Sequence, residues 1–100
     1  MKLFNTLILY IVSLAAFAQT GTIKGNIKDN SGNPVPNANI SLERTSYGNT
    51  SDEHGNYHIR KIPAGNYTVL FSAIGFQSIT KSIEVKANET VEVNFLLGFF

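Results

Sequence analysis

The chain has 100 residues, no cysteine, and eight lysine and arginine residues against seven aspartate and glutamate residues, for a formal net charge of +1. So short a chain has room for one modest core, and its nearly balanced charge excludes the basic surface with which proteins attract nucleic acid. The lack of cysteine excludes disulfides, thiolate chemistry and cysteine zinc sites, so packing alone must stabilise the fold.

The first residues have the features of a secretory signal peptide. Lys2 gives a positive start, residues 3–14 are mostly apolar, and residues 16–18 read Ala-Phe-Ala, a small-x-small cleavage signal. A membrane anchor is the alternative, but the apolar run is shorter than the roughly 20 residues that cross a bilayer. We therefore expect residues 1–18 to be a helical signal peptide and residues 19–100 to be one exported domain.

Two files of alternating apolar residues follow the leader. Ile23 and Ile27 alternate with polar residues, and Gly25 occupies an inward position between them. This pattern predicts a strand with one wet face, and the glycine predicts a bulge or a close backbone approach. After a stretch dense in turn-forming residues, residues 38–44 repeat the alternation and predict a second strand. A polar loop and a short third strand come next.

Two turns then predict a hairpin that leads into a central strand. Asp52 is suited to accept hydrogen bonds from the amides that follow it, and Gly55 is suited to a positive φ. Pro63 has no N–H to donate and Gly65 permits unusual backbone angles, so we expect a second reversal there. Because residues 67–74 are almost continuously apolar or β-branched, we expect them in the middle of a sheet.

The rest of the chain predicts further strands. Residues 79–86 alternate, except that Lys81 interrupts the inward file, which suits an edge strand. Residues 91–97 form the last alternating file. No helical apolar period occurs after the leader. Short strands separated by turn signals predict an all-β fold, an antiparallel β-sandwich of about seven strands.

Few residues have the chemistry of a catalytic or metal site. Asp52, Glu53, His54 and His58 are the densest group of potential metal ligands, but they belong to a turn and a strand in which their spacing is not diagnostic of a metal site. Ser51, His54 and Asp52 have the residue types of a catalytic triad, yet neighbours along a strand point to opposite faces. We expect no catalytic residue, no metal ligand and no cofactor.

Five short motifs occur in order over residues 21–97. They are Gly21-x-Ile23-x-Gly25-x-Ile27, Asp29-x-x-Gly32-x-Pro34-x-Pro36-Asn37-Ala38-x-Ile40, Ser51-Asp52-x-x-Gly55-x-Tyr57, Ile62-Pro63-Ala64-Gly65-x-Tyr67 and Ile74-Gly75-Phe76. With these motifs the chain resembles the carboxypeptidase regulatory-like domain. The resemblance implies a transthyretin-like sandwich in which Asp52, Gly55, Pro63 and Gly65 serve turns and are not catalytic.

The resemblance also implies a function. Domains of this family are found at the N-terminus of TonB-dependent outer-membrane receptors of Bacteroidetes type, on the periplasmic side. The sequence contains no plug or barrel, so we expect a receptor fragment or a free-standing copy of the accessory domain. Its partner is then a periplasmic protein, or the plug and barrel in cis, and an unpaired strand edge is the available binding mode.

Two alternatives remain at this point. One is a small carbohydrate-binding module of β-sandwich fold, with Tyr47 and Phe76 as exposed rings that contact an oligosaccharide. In that reading Tyr57, Tyr67 and Phe71 still belong to the core. The other alternative is a purely structural domain that keeps a neighbouring protein folded or soluble.

Overall fold

The structure is a computed structural model that describes residues 19–99. The signal peptide expected at residues 1–18 lies outside the described residues. The described chain forms eight strands: β1 (Thr20–Asp29), β2 (Asn39–Leu42), β3 (Gly48–Thr50), β4 (Asn56–Pro63), β5 (Gly65–Ser72), β6 (Ile79–Val85), β7 (Thr90–Glu92) and β8 (Phe95–Leu97). Within this range there is no helix long and apolar enough to cross a membrane.

The strands form two four-stranded sheets, which we call sheet I and sheet II. In sheet I, β1 lies in the middle, with β4 antiparallel on one side and β7 and β8 parallel on the other. Sheet II has the order β3-β2-β5-β6, and all its neighbours are antiparallel. The predicted β-sandwich is confirmed.

The core lies between the inward faces of the two sheets. Phe71 of β5 is fully buried, and the ring of Tyr57 meets it edge-on with centroids 5.6 Å apart. Each fully buried apolar side chain contributes about 1.5–3 kcal/mol. The buried apolar residues come mostly from alternate strand positions: Ile23, Ile27, Val35, Ala38, Ile40, Leu42, Tyr57, Ile59, Ile62, Val69, Phe71, Val85, Val93, Phe95 and Leu97.

The last alternating file differs from the expectation in two ways. It is divided into β7 and β8, and at the interruption the side-chain oxygen of Asn94 accepts the backbone N–H of Asn26 at 2.9 Å. Both pieces run parallel to β1, so sheet I is mixed and not purely antiparallel. Side chains alternate in the same way in parallel and antiparallel strands, and the sequence pattern therefore did not reveal the direction.

The predicted hairpin is wrong in its pairing. β3 and β4 flank the Asp52 turn, and β4 and β5 flank Ala64, yet β4 belongs to sheet I while β3 and β5 belong to sheet II. Both turns therefore carry the chain from one sheet to the other. The central position of β5 is confirmed, because it lies between β2 and β6.

Strand β6 lies at the edge of sheet II, as the position of Lys81 predicted. Its inward residues Ile79 and Ile83 are half-buried and Val85 is buried. Lys81 shares their side of the strand but stays exposed, with its Nζ 5.2 Å from the centre of the Phe95 ring. The Lys81 side chain thus lies over a core aromatic ring at the edge of the sandwich.

Candidate functional site

The turn between β3 and β4 is organised by the carboxylate of Asp52. One of its oxygens accepts the backbone N–H groups of His54 and Asn56, both at 2.9 Å. Gly55 completes the turn with a φ of 80°, and a Cβ at this position would overlap the carbonyl oxygen of Ile27. Asp52 and Gly55 therefore stabilise the turn between β3 and β4.

The second turn also contains a glycine with a positive φ. Pro63 ends β4, and its carbonyl oxygen accepts the Tyr67 hydroxyl at 2.6 Å. Gly65 has a φ of 158°, a positive value that residues with a side chain rarely adopt, although a Cβ there would contact only the Tyr67 ring, at an ordinary 3.8 Å. Tyr67 was expected in the core, but it is half-buried because its ring spans this connection and its hydroxyl points outward to Pro63.

The potential metal ligands beside the Asp52 turn do not converge. His54 Nε2 lies 3.5 Å from Glu53 Oε1, and both side chains are exposed. His58 lies further along the chain on the exposed side of β4. Across residues 19–99, no three His, Asp or Glu side chains are grouped so that they could hold a metal ion.

Ser51 is buried, and its hydroxyl is used in the fold. It donates to the carbonyl oxygen of Val35 at 2.7 Å and accepts the N–H of Ala38 at 2.9 Å. A serine nucleophile must pass its proton to a base within hydrogen-bond reach, whereas this proton is directed at a backbone carbonyl. Ser51 therefore fastens the segment before β2 and does not form a triad with His54.

Tyr47 and Phe76 do not form one platform for a ligand. Both rings are half-buried and pack against the core. Tyr47 follows the C-terminal end of β2, opposite the start of β5, whereas Phe76 follows the end of β5. Phe76 also stacks on Phe99, with ring centroids 4.7 Å apart. The two residues therefore lie at opposite ends of sheet II.

A shallow depression of about 610 Å³ lies on the outer face of sheet I. Its lining includes the charged side chains of Lys24, Arg60 and Glu92 together with asparagine amides. Charges of both signs lie there among amides, and Tyr57, the one tyrosine, phenylalanine or tryptophan in the lining, is buried in the core. A sugar ring would find no exposed tyrosine, phenylalanine or tryptophan ring for stacking in this depression.

The sequence signalled a special role for Gly25, but not the role of its partner Tyr57. The two residues face each other across β1 and β4. The Tyr57 ring lies beside Gly25, and its hydroxyl donates a hydrogen bond to the carbonyl oxygen of Val93 at 2.6 Å. A Cβ on Gly25 would overlap that same oxygen. Burial raises the pKa of the Tyr57 hydroxyl above its ordinary value. This contact fastens three segments of sheet I together.

The edge of β4 is largely closed by the protein's own groups. The outward carbonyl of Asn56 accepts the N–H of Asp52 at 2.9 Å, and the outward carbonyl of His58 accepts the side-chain amide of Asn49 at 2.8 Å. Lys61 then takes a φ of 58°, beside a shift in the register with β1. A foreign strand could not pair along this edge without displacing these bonds.

The edge of β6 is open. On β5, the Thr68 carbonyl accepts from Glu43 next to β2, so residues 67, 69 and 71 turn their backbone groups toward β6, because these groups alternate along a strand. The β5–β6 register then directs the N–H and C=O groups of Thr80, Ser82 and Glu84 outward. No hydrogen bond within residues 19–99 reaches these groups. We call them the β6 edge.

Comparison with known proteins shows where this fold recurs. The CarboxypepD_reg-like domain family matches residues 23–98. A solved structure of the Bacillus anthracis TIE protein has the same fold, with a TM-score of 0.68 and 20% sequence identity over 81% of this chain and 17% of that chain. The likeness to the TIE protein concerns the fold alone.

The similar sequences belong to proteins of different kinds. Structural protein 27 of a virus (isolate Australia/Victoria) is 34% identical over 82% of this chain and 15% of its own length. Carboxypeptidase Z of Gallus gallus is 34% identical over 75% of this chain and 12% of its own length. The TonB-dependent receptor SusC of Bacteroides thetaiotaomicron is 37% identical over 75% of this chain and 8% of its own length. The chain therefore spans less than a fifth of each relative, and it belongs to the CarboxypepD_reg-like domain family.

Proposed function

We propose that this chain is a non-catalytic accessory domain, exported to the periplasm, that docks to other proteins in the manner of the N-terminal extension of a TonB-dependent receptor. One observation carries the proposal: the same domain makes up a small part of a viral structural protein, a carboxypeptidase and a receptor. Because proteins of such different kinds share this unit, its presence does not depend on the activity of any one of them, which supports a role in contact with other surfaces over a role in catalysis.

The site geometry supports a binding role over a catalytic one. Ser51, the serine of the candidate triad, is buried, and its hydroxyl donates a hydrogen bond to the carbonyl oxygen of Val35. His54 lies beside Glu53 at the surface, away from that hydroxyl. The β6 edge offers unused backbone donors and acceptors, which are the groups that strand addition requires. The family match itself is to a regulatory-like domain.

Location is the first test. The full chain with a C-terminal tag is expressed in a Bacteroidetes host, and protease is added to intact cells and to spheroplasts. We expect digestion only in spheroplasts, together with a mass that corresponds to cleavage before Gln19. A matched chain that lacks residues 2–18 should stay in the cytoplasm. Recovery of the full chain uncleaved in the cytoplasm would contradict the proposal.

Function is tested next in the same cells. The downstream reading frame is examined for plug and barrel sequence, and chemical cross-linking is used to look for adducts of the exported chain with a TonB-dependent receptor. Adducts in wild-type cells that vanish when the receptor is deleted support docking. Hydrolytic turnover by the purified chain that disappears in His54→Ala would show an enzyme instead.

The carbohydrate alternative has no observation in its favour. Its two candidate rings, Tyr47 and Phe76, are half-buried and lie at opposite ends of sheet II. Tyrosine fluorescence during titration with oligosaccharides should therefore not change, in the wild type or in Tyr47→Ala. A saturable change that is lost in Tyr47→Ala would restore this alternative.

A further inference from the structure

Strand β6 offers a foreign strand two kinds of contact. Along its edge, Thr80, Ser82 and Glu84 present alternating N–H and C=O groups for a backbone ladder. On its inward side, the half-buried Ile79 and Ile83 flank the exposed Lys81. A strand added to this edge would place every second side chain beside these three residues, because side chains alternate in a strand.

The charge of Lys81 defines the chemistry of the occupant. Its ammonium group lies 5.2 Å from the centre of the Phe95 ring, and no carboxylate among residues 19–99 lies within salt-bridge distance of it. An incoming strand would exclude water from this amine while leaving it charged. A carboxylate directly opposite compensates the amine for its lost hydration, whereas an apolar residue or a second cation does not.

Self-pairing of β6 fits this surface poorly. Two antiparallel copies in register about Lys81 would bring the two ammonium groups directly opposite each other, and a register about Ser82 would make them diagonal neighbours. Like charges in these positions are destabilising, and an inward-facing lysine is a common protection of an edge against pairing with its own kind. The favoured occupant is therefore a different chain.

From these contacts we propose that the β6 edge is the docking site for an extended peptide segment of apolar-x-acidic-x-apolar pattern, whose acidic residue lies opposite Lys81. The inference rests on the proposed docking role and specifies its edge and its partner chemistry. Two apolar residues of the segment cover Ile79 and Ile83. A basic residue next to one of them pairs with Glu84 on the outer side of the strand.

A designed peptide tests the proposal. The heptapeptide Val-Lys-Val-Thr-Glu-Thr-Val, blocked at both ends, matches β6 antiparallel, with its glutamate opposite Lys81. It is titrated into ¹⁵N-labelled protein purified after export of the full chain. We expect the largest amide shifts at Thr80, Ser82 and Glu84, with slower hydrogen exchange there. A peptide with lysine in place of its glutamate should bind on the order of fivefold more weakly.

Two proline variants locate the edge. Ser82→Pro removes an outward N–H from an edge strand, where proline is tolerated by the fold, and it should weaken peptide binding on the order of tenfold or more. His58→Pro makes the same change on the edge of β4 and should leave binding unchanged. Should Ser82→Pro fail to fold, Lys81→Glu serves instead, and it should reverse the preference between the two peptides.

The outcomes separate this inference from the proposed function. Equal binding to the wild type and to Ser82→Pro, shifts along β4, or no binding of either peptide overturns the β6 assignment. Receptor adducts in the cross-linking experiment would still support docking in those cases. A dimer in sedimentation that Ser82→Pro dissociates would show that a second copy occupies the edge, and it would overturn the acidic-peptide chemistry.

Discussion

Strands β4 and β6 are both edge strands of similar length, but they leave very different surfaces. The outward carbonyls of Asn56 and His58 on β4 are bound by Asp52 and Asn49, so the edge is satisfied within the chain. Along β6 the backbone groups of alternate residues remain open, and an inward-facing lysine stands beside them. The edge of β4 is blocked by hydrogen bonds within the chain, whereas the edge of β6 has unpaired backbone groups beside a charged side chain.

The difference divides the domain into a side that holds distant segments together and a side that leaves backbone groups unpaired among residues 19–99. The side of β4 contains the Asp52 turn and the Tyr57 contact, both of which tie distant segments together. Substitutions there should act mainly on folding. The β6 edge contributes few such contacts, so substitutions there should leave stability nearly unchanged and act on association. Substitutions on the two sides of the domain should therefore differ in the property that they change.

Gly25→Ala should destabilise the protein strongly. The added methyl overlaps the carbonyl oxygen of Val93, and backbone atoms cannot move aside without breaking the link between β1 and β7, so we expect a loss of about 3 kcal/mol or more. Urea unfolding followed by circular dichroism measures it. Gly98→Ala is the matched control, since its Cβ would meet only a side-chain nitrogen of Asn30 at 3.4 Å. Similar losses in both variants would contradict the close approach at Gly25.

Tyr57→Phe should cost about 1–3 kcal/mol, because the buried carbonyl of Val93 loses its donor. The measurement is again urea unfolding, at neutral pH. Phenylalanine keeps the ring and its edge-on contact with Phe71, so the loss reports on the hydroxyl alone. A variant as stable as the wild type would mean that this carbonyl finds another donor.

The same residue predicts a dependence on alkaline pH. Because burial raises the pKa of the Tyr57 hydroxyl in the folded state, the folded protein keeps a proton that the unfolded chain loses near pH 10. The contribution of Tyr57 to the free energy of unfolding is therefore constant below about pH 10 and falls as the pH rises further. Stability measured between neutral and strongly alkaline pH should fall more steeply in the wild type than in Tyr57→Phe. Parallel curves would argue against a buried hydroxyl.

Tyr67→Ala should have an intermediate effect of about 1–2 kcal/mol, from partial burial of the ring and one hydrogen bond to Pro63. The comparison is Phe71→Ala, whose fully buried ring should cost about 3–5 kcal/mol. Both are measured by thermal and urea unfolding. Equal losses would place Tyr67 in the core after all.

Asn49→Ala should have a small effect on stability, about 0.5–1.5 kcal/mol, since it removes two hydrogen bonds at the surface, one to the His58 carbonyl and one from the Thr50 N–H. Its control on the other edge, Ser82→Ala, should be nearly neutral, because the Ser82 side chain is exposed and makes no hydrogen bond within residues 19–99. Urea unfolding of the pair compares the two edges directly. A larger loss in Ser82→Ala would mean that β6, and not β4, is the edge held by its side chains.

Much of the fold could be predicted because it depends on local rules. The alternation around Ile23 and Ile27 correctly predicted a strand with one buried face, and the inward position of Lys81 correctly predicted an edge strand. The continuous apolar run after Gly65 reported the central strand of a sheet. Each of these features depends on the period of a strand or on the cost of burying a charge, and both can be evaluated from the sequence alone.

Strand pairing and side-chain contacts between distant residues depend on which segments meet in the fold. Local sequence patterns do not show which segments these are. The Asp52 turn has the residues of a hairpin, yet the strands on either side of it lie in different sheets. Phe76 was a candidate exposed ring in the carbohydrate alternative, but it is half-buried and stacks on the distant Phe99. No local pattern connects residues so far apart in the chain.

By itself, the sequence determined that this protein is a small β-sandwich without disulfides, because strand period, turn chemistry and composition act over a few residues at a time. Only the tertiary structure decided that β7 and β8 run parallel to β1, that Tyr57 reaches past Gly25 to Val93, and that one edge is closed while the other is open. These are long-range pairings, and their energies exist only after the chain has brought the two sheets together.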